Sequence, residues 1–299
     1  MKAHAVYCLS CWGHAHQMSL NEWMKVVDAF EEDGVNQVYF WLSGLFRSKI
    51  YPQTFIYYGA GMDTKDTHEL IKYVQKRGME FFLGTGIFAW LGLDEMVKIY
   101  PEIEAKPKSF WSPEWWSYGL CPSHPKSREI NLNYCLEMAD EFSEADGFYL
   151  EMRDEYGPCV CEKCNKLVGD HGERGYGSSK ASFLEELSAA VWKKHPNFKF
   201  VVATGYLQDT GEWDTAYYDW ILRRKSDSRW SWLNARWAEK YPGLDDKEHP
   251  FTELSDQIIY WSNKYYLPVM DTLDDFKKSE KCSNYGLCYT FEPGARWIE

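Results

Sequence analysis

Short apolar runs alternate with amphipathic segments along this chain, which predicts strands and helices that follow one another. Eight apolar runs have the length of buried strands and are bounded by turn-forming residues. The predicted strands are Ala3–Leu9, Gln37–Leu42, Met79–Ile87, Gly147–Glu151, Lys199–Thr204, Arg229–Leu233, Tyr266–Met270 and Gly286–Phe291.

Between these runs, apolar residues recur at the spacing of an α-helix. Ser19 and Glu22 form a capping box at the start of the first helix, which is predicted to end at Gly34. A second helix is predicted to begin at Asp66 and to stop at Gly78. A third carries the apolar stripe Ile130, Tyr134, Met138 and Phe142, and a fourth covers Ala181–Lys194.

The alternation of strands and helices predicts a parallel sheet with right-handed crossovers. Eight such strands close into a (β/α)8 TIM barrel, and we expect one barrel domain over residues 1–299. The competing fold, an open doubly wound sheet, usually carries G-x-G-x-x-G after its first strand, and this sequence does not. The chain ends at Glu299, soon after the eighth predicted strand. We therefore expect either a barrel without its last helix or part of a longer protein.

The charge and aromatic content favour a carbohydrate as the partner. The formal net charge is −12 and no block of Lys and Arg occurs, which argues against nucleic acid and anionic membranes. The chain contains 15 Trp and 21 Tyr, more than a core alone requires. Such residues stack on the apolar faces of sugars, although many of them must also fill the barrel.

Cysteine usage and the amino terminus bear on location. No apolar run is long enough to span a bilayer, and Met1–Tyr7 is too short and too polar for the core of a signal peptide. Nine cysteines cannot all pair within one chain, and three of them are clustered. We expect reduced thiols and a cytoplasmic protein, unless a signal peptide has been removed.

Three carboxylates follow the fourth predicted strand. The run Gly147–Leu150 leads directly to Glu151, Asp154 and Glu155. Barrel enzymes place catalytic groups at the carboxyl ends of strands, so these acids are the predicted catalytic residues. Neighbouring acids oppose one another's ionisation, and we expect one of the three to be protonated near neutral pH. The alternative is a solvated acidic turn.

Other polar and aromatic side chains follow the ends of other predicted strands. The predicted substrate-binding residues on this rim are Trp12, His14, Arg47, Trp90, Asp271 and Glu292. Acids and aromatics without an activated serine or a phosphate loop suit the cleavage of a glycosidic bond, whose transition state resembles an oxocarbenium ion. No cofactor is expected for catalysis.

The motif Cys159-x-Cys161-x-x-Cys164 offers three thiolates within one short loop. A closed structural zinc site needs four ligands, and Cys121 is the first choice for the fourth, ahead of His171. Reduced thiols packed in a loop, or one disulfide, are the alternatives. Cys8-x-x-Cys11 is more simply explained as two small buried thiols.

Two segments resemble a known group of enzymes. Residues 118–135, YGLCPSHPKSREINLNYC, and residues 145–164, ADGFYLEMRDEYGPCVCEKC, resemble the fourth-strand region of glycoside hydrolase-type (β/α)8 barrels. The similarity is to family 20 hexosaminidases and to α-glucuronidase-like and uncharacterised bacterial barrels with a Cys-x-Cys-x-x-Cys loop. Residues 11–49 resemble the first two βα units of such barrels.

The family 20 resemblance implies a role for each acid. Asp154 would orient the acetamido group of the substrate, which attacks its own anomeric carbon, and Glu155 would be the general acid/base. Glu151-Met152-Arg153 stand where the family has Gly-Gly, which leaves Glu151 as an alternative acid. In that alternative, Glu292 or Asp271 would supply the second carboxylate.

The leading functional hypothesis is therefore a glycosidase that acts on a neutral or N-acetylated sugar. A second hypothesis is a non-catalytic barrel that binds a glycan as one module of a larger protein. A third is a metal- or thiol-dependent redox protein that uses the cysteine clusters.

Overall fold

The computed structural model describes most of the chain, and the account that follows concerns the described part. It comprises residues 2–10, 13–90, 92–106, 119–152, 159, 161–164, 166, 175–203, 220–224, 226–234, 257–265, 277 and 286–291.

Eight parallel strands form a closed barrel in chain order, with β8 paired to β1. The strands are β1 His4–Cys8, β2 Gln37–Trp41, β3 Glu80–Ile87, β4 Gly147–Met152, β5 Lys199–Ala203, β6 Trp230–Asn234, β7 Ile258–Tyr265 and β8 Gly286–Phe291. The predicted (β/α)8 barrel is confirmed. The segment after Phe291, on which the expectation of a missing last helix depends, lies outside the described residues.

Five α-helices are described: α1 Gly13–Gln17, α2 Leu20–Glu32, α3 Thr64–Lys76, α4 Pro125–Glu141 and α5 Gly175–Trp192. Short 3-10 helices cover Pro52–Thr54, Leu93–Lys98 and Pro101–Ile103. Among the residues that the structure describes, no helix is long and apolar enough to cross a membrane.

Strand alternation separates an inner from an outer layer of side chains. Tyr39 and Tyr149 face the interior, where their rings stack with centroids 5.1 Å apart. Phe40, the next residue of β2, points outward, and its ring lies 4.7 Å from that of Trp23 on α2. The inner layer therefore fills the barrel, and the outer layer holds the helices against it.

Two helices begin earlier than the sequence predicts. The N-cap of α3 is Asp63, whose side chain accepts a hydrogen bond from the backbone N–H of Asp66. The prediction that Asp66 starts the helix is therefore wrong, because Asp66 is the third residue of a capping box. Helix α5 begins at Gly175, before the predicted start at Ala181, although glycine is a poor helix former.

The predicted position of the seventh strand is also wrong. The structure forms β7 from Ile258–Tyr265, whereas the predicted run Tyr266–Met270 lies outside the described residues. Polar residues interrupt the observed strand, and its pairing with β8 shifts register between Trp261 and Tyr265. Pro268 lies within the predicted run, and proline is disfavoured inside a sheet because it has no N–H to donate.

Candidate active site

Glu151 is a buried acid near the carboxyl end of β4. Only 6% of its surface is exposed, and Oε2 accepts a hydrogen bond of 2.8 Å from the Tyr7 hydroxyl of β1. A carboxylate is rarely buried to this extent without a partner. Glu151 therefore lies inside the barrel mouth and not in a solvated turn, which removes the alternative interpretation for this residue.

The pattern of strand β4 explains how Glu151 reaches the interior. Phe148 faces outward, where its ring lies 5.2 Å from that of Phe198. Tyr149 faces inward, and its ring lies 4.9 Å from that of Tyr7. Because side chains alternate along a strand, Glu151 occupies the inward position that follows Tyr149.

Trp90 lies on the same face of the sheet, next to Glu151. Glu151 is the register partner of Gly86 on β3. A Cβ atom added at Gly86 would lie 2.7 Å from Cδ1 of Trp90, so the indole occupies the space that a side chain would fill. The absence of a side chain at residue 86 thus allows Trp90 to pack over the sheet beside the acid.

The connection after β3 contains two residues in an unusual backbone conformation. Phe88 and Trp90 have φ angles of 61° and 67°, in the left-handed region that residues other than glycine rarely adopt. The backbone N–H of Trp90 donates to Oδ2 of Asp94 at 3.2 Å, which helps to hold this turn. Such conformations cluster at functional sites, and this one directs an aromatic side chain toward the predicted site.

Burial and charge near Glu151 also affect the opposite strand. Burial raises the pKa of the Cys288 thiol on β8, and the Glu151 carboxylate raises it further. Cys288 is the register partner of Ala5, two residues before Tyr7 on β1. Glu151 therefore interacts electrostatically with β8 as well as with β1.

His14 and Arg47 lie in connections that follow β1 and β2, at the same end of the barrel. His14 is exposed on α1, and Arg47 is exposed with its guanidinium 4.0 Å from the centre of the Phe55 ring. The remaining predicted site residues lie outside the described residues: Trp12, Asp154, Glu155, Asp271 and Glu292.

Tyr7 belongs to this site but does not appear among the residues predicted from the sequence. An inward tyrosine in a strand has the same pattern as any core aromatic. Its position on the inward-facing side of β1 could have indicated it. That position points to a functional role only once Glu151 is known to lie across the barrel.

The four predicted metal-ligating cysteines lie together. The sulfur atoms of these residues all lie within 4.8 Å of one another; the four are Cys121, Cys159, Cys161 and Cys164. The Cys121 sulfur is 3.6 Å from that of Cys161 and 3.6 Å from that of Cys164. All four thiols are free of disulfides. His171, the second choice for the fourth ligand, lies outside the described residues.

Hydrogen bonds shift the thiol pKa values of this cysteine cluster in opposite directions, down at Cys159 and up at Cys121 and Cys164. Hydrogen bonds from the thiols of Cys121 and Cys164 lower the pKa of Cys159, and the backbone N–H of Lys106 donates to the same sulfur at 3.3 Å. At Cys135, outside the cluster, burial alone raises the pKa of the thiol to about 12. A single buried thiol is inert, whereas a thiolate is the form that binds metal.

A cavity of about 840 Å³ lies at the other end of the barrel. Its lining includes the first residues of four strands, Gln37, Glu80, Lys199 and Trp230. Glu80 and Lys199 form an ion pair there. The amino-terminal face of such barrels serves stability and the carboxyl-terminal face carries chemistry, so the site around Glu151 is the stronger candidate.

Solved structures with the same architecture include glycoside hydrolases. The exo-β-N-acetylglucosaminidase of Vibrio harveyi, in complex with N-acetylglucosamine, has a TM-score of 0.59 and 12% identity over 99% of this chain and 50% of that one. Dispersin B has a TM-score of 0.55 and 12% identity, covering 98% of this chain and 92% of its own. α-L-Fucosidase isoenzyme 2 of Paenibacillus thiaminolyticus has a TM-score of 0.56 and 12% identity, over 98% and 46%.

These similarities define the class of fold. The protein has the barrel fold of family 20-like glycoside hydrolases, with a buried acid at the end of β4. It spans about half the length of the Vibrio harveyi enzyme. The sequence matches no protein-family model and no curated protein sequence.

Proposed function

We propose that this protein is a glycosidase that hydrolyses a glycosidic bond of a neutral or N-acetylated sugar by carboxylate catalysis. The observation that carries the proposal is the buried Glu151 side chain, held by Tyr7 at the carboxyl end of β4. In this fold, that position faces the end of the barrel where barrel enzymes bind substrates.

The reaction requires two kinds of group. A carboxylic acid must protonate the leaving oxygen, and negative charge must stabilise the oxocarbenium-like transition state. Asp154 and Glu155 follow Glu151 by three and four residues and supply two further carboxyls just after β4. Trp90, beside Glu151, offers an aromatic face to a sugar ring.

The roles of the acids follow the family 20 scheme. Glu155 is the general acid/base, and Asp154 orients the acetamido group of an N-acetylated substrate. Glu151 shapes and polarises the site from inside the barrel, with its carboxyl orientation set by Tyr7. The competing scheme makes Glu151 the acid and Glu292 or Asp271 the second carboxylate.

The activity is tested with a panel of chromogenic glycosides that includes N-acetylated, neutral and uronic acid sugars. We expect turnover of an N-acetylated or neutral glycoside by the wild type. Asp154→Asn and Glu155→Gln should each reduce it by at least about 100-fold, the usual range for a lost general acid/base. Full activity in both variants would refute the assignment of these residues.

A glycan-binding module would give a different result in the same assay. It would bind sugars with no turnover of any substrate, and Asp154→Asn and Glu155→Gln would change only affinity. Binding is measured by calorimetry with the same sugars. Because the fold similarity does not fix the sugar, the panel must include monosaccharides beyond N-acetylglucosamine.

A further inference from the structure

We propose that Cys121, Cys159, Cys161 and Cys164 bind one Zn²⁺ ion in a closed tetrathiolate site. This site joins the connection after β3 to the connection after β4. The proposal does not depend on the glycosidase activity, because a closed site has no open coordination position for catalysis.

The distances between the sulfur atoms fit a tetrahedral metal. With Zn–S bonds of about 2.3 Å, the edges of a regular tetrahedron are about 3.8 Å long. The Cys121 sulfur lies 3.6 Å from the Cys161 sulfur and 3.6 Å from the Cys164 sulfur. A disulfide would need a separation of about 2.05 Å. The four sulfurs are therefore spaced for a shared ion and not for a covalent pair.

Among the described residues, contacts between the two connections involve the four cysteines. The four cysteines and Ala105 form a small apolar cluster that is separate from the main core. Thiol–thiol hydrogen bonds are weak, and so small an apolar area contributes little stability. A metal ion would add a much stronger interaction, since structural zinc contributes directly to folding free energy.

Neighbouring groups also suit a metal-bound thiolate. The backbone N–H of Lys106 donates to the Cys159 sulfur at 3.3 Å. Cys164 lies 3.1 Å from Oγ of Ser123, a polar partner on the other connection. Groups that surround and orient the ligands in this way are typical of metal centres.

Backbone hydrogen bonds fix Cys121 next to the end of β3. Its backbone N–H donates to the carbonyl of Ile103 at 2.8 Å, and the N–H of Leu120 donates to the carbonyl of Phe88 at 2.7 Å. Leu120 also forms an isolated antiparallel bridge with Glu104. The backbone on this side of the proposed site is therefore fixed to the end of β3 before any metal binds.

The other three ligands follow the acidic segment. Met152 is the last residue of β4, and Cys159 is the first proposed ligand after it. Residues 153–158, which include Asp154 and Glu155, thus lie in sequence between a strand and a metal ligand. Strand β4 fixes the residue before this segment, and binding of zinc would fix Cys159, the residue after it.

The first test measures metal content in protein purified without a metal-affinity tag. We expect one zinc per chain, and Co²⁺ substitution should give the intense visible absorption of a tetrahedral cobalt thiolate. Chelation should lower Tm, and added Zn²⁺ should restore it. Absence of stoichiometric zinc together with no cobalt spectrum would overturn the proposal. Iron at the site would overturn the identity of the ion, and a disulfide found by mass spectrometry would overturn the site.

The second test compares two substitutions of the same kind. Cys161→Ser removes the one half-exposed ligand, so it disturbs packing least. Loss of a group that only hydrogen-bonds to a metal ligand weakens metal binding about 10–100-fold. Cys161 is itself a proposed ligand, so we expect its loss to weaken zinc binding by more than about 100-fold. Cys135→Ser alters a single buried thiol on α4 outside the cluster, and it should keep the zinc. Equal zinc content and equal sensitivity to chelator in the two variants would show adventitious binding. If Cys161→Ser does not fold, the cobalt spectrum of the wild type decides the question.

Discussion

The hydroxyl of Tyr7 and Oε2 of Glu151 lie 2.8 Å apart and join two strands that are 144 residues apart in sequence. The strands, β1 and β4, are not neighbours in the barrel, so the hydrogen bond crosses its interior. The Tyr7 ring is itself packed against Tyr149 and Trp41, with centroids 4.9 Å and 6.1 Å away. The phenol is thus a rigid donor that sets the orientation of the Glu151 carboxyl.

A double-mutant cycle measures this interaction. Tyr7→Phe keeps the ring and removes only the hydroxyl, and should destabilise the protein by about 1–3 kcal/mol, since the buried Glu151 carboxyl loses a hydrogen-bond donor. Glu151→Met has similar length without polar atoms. In that background, Tyr7→Phe should cost at least about 0.5 kcal/mol less, the lower limit for coupled neighbours. Urea unfolding gives the four free energies, and strictly additive values would show that the two groups do not interact in solution.

Leaving-group dependence distinguishes the roles of Glu155 and Glu151. Glu155→Gln should reduce hydrolysis of natural glycosides by about 10²–10⁴-fold and spare substrates with activated leaving groups, which need little protonation. Glu151→Gln should slow both classes of substrate by similar factors, because Glu151 shapes the site without donating the proton. Steady-state kinetics on matched natural and aryl glycosides check this. The opposite pattern would make Glu151 the acid.

Parts of this barrel could be predicted because local signals are strong there. The predicted bounds of β8, Gly286–Phe291, are those observed, since a glycine begins the run and Glu292-Pro293 follow it. The capping box of Ser19 and Glu22 is likewise observed at the start of α2. The error at β7 arises where the polar residues Ser262–Lys264 interrupt the apolar pattern.

The site was harder to predict than the fold, because it depends on contacts between distant strands. The sequence indicates Glu151 from its place after an apolar run, but its hydrogen bond to Tyr7 depends on the closure of the barrel. The sequence indicates Cys121 as the first choice for the fourth metal ligand and His171 as the second. The path of the connection before α4 places Cys121 next to Cys161, and this contact supports Cys121 as the fourth ligand.

Gly92 should tolerate substitution less well than Gly34. Both have positive φ angles, of 78° and 74°, so alanine is strained by about 1–2 kcal/mol at either position. A Cβ at Gly92 would also lie 1.9 Å from the carbonyl oxygen of Thr54, whereas a Cβ at Gly34 meets nothing within 4 Å. Overpacking adds about 1–3 kcal/mol, so Gly92→Ala should lower the free energy of unfolding more than Gly34→Ala. Equal losses by chemical denaturation would show that the connections after β2 and β3 are not in close contact.

The pair Asp227–Arg229 should make stability depend on acid pH. Hydrogen bonds from the Arg229 guanidinium hold the pKa of Asp227 below its usual value, and the contacts from Nε and Nη2 are 3.0 Å and 2.8 Å long. A carboxyl with a lowered folded-state pKa stabilises the protein above its unfolded pKa, about 3.9 for Asp, and this stabilisation is lost as pH falls through the folded value.

The wild type should therefore lose more stability than Asp227→Asn as the pH is lowered from about 5 to about 3. Arg229→Gln should show the same reduced loss, because it removes the charge that lowers the pKa of Asp227. Arg229 also packs 3.6 Å from the centre of the Trp192 ring, so this variant should be less stable at every pH. The informative quantity is thus the change in the free energy of unfolding with pH, measured by urea titrations at each pH. A wild-type slope equal to that of both variants would mean that the ion pair does not contribute to stability in solution.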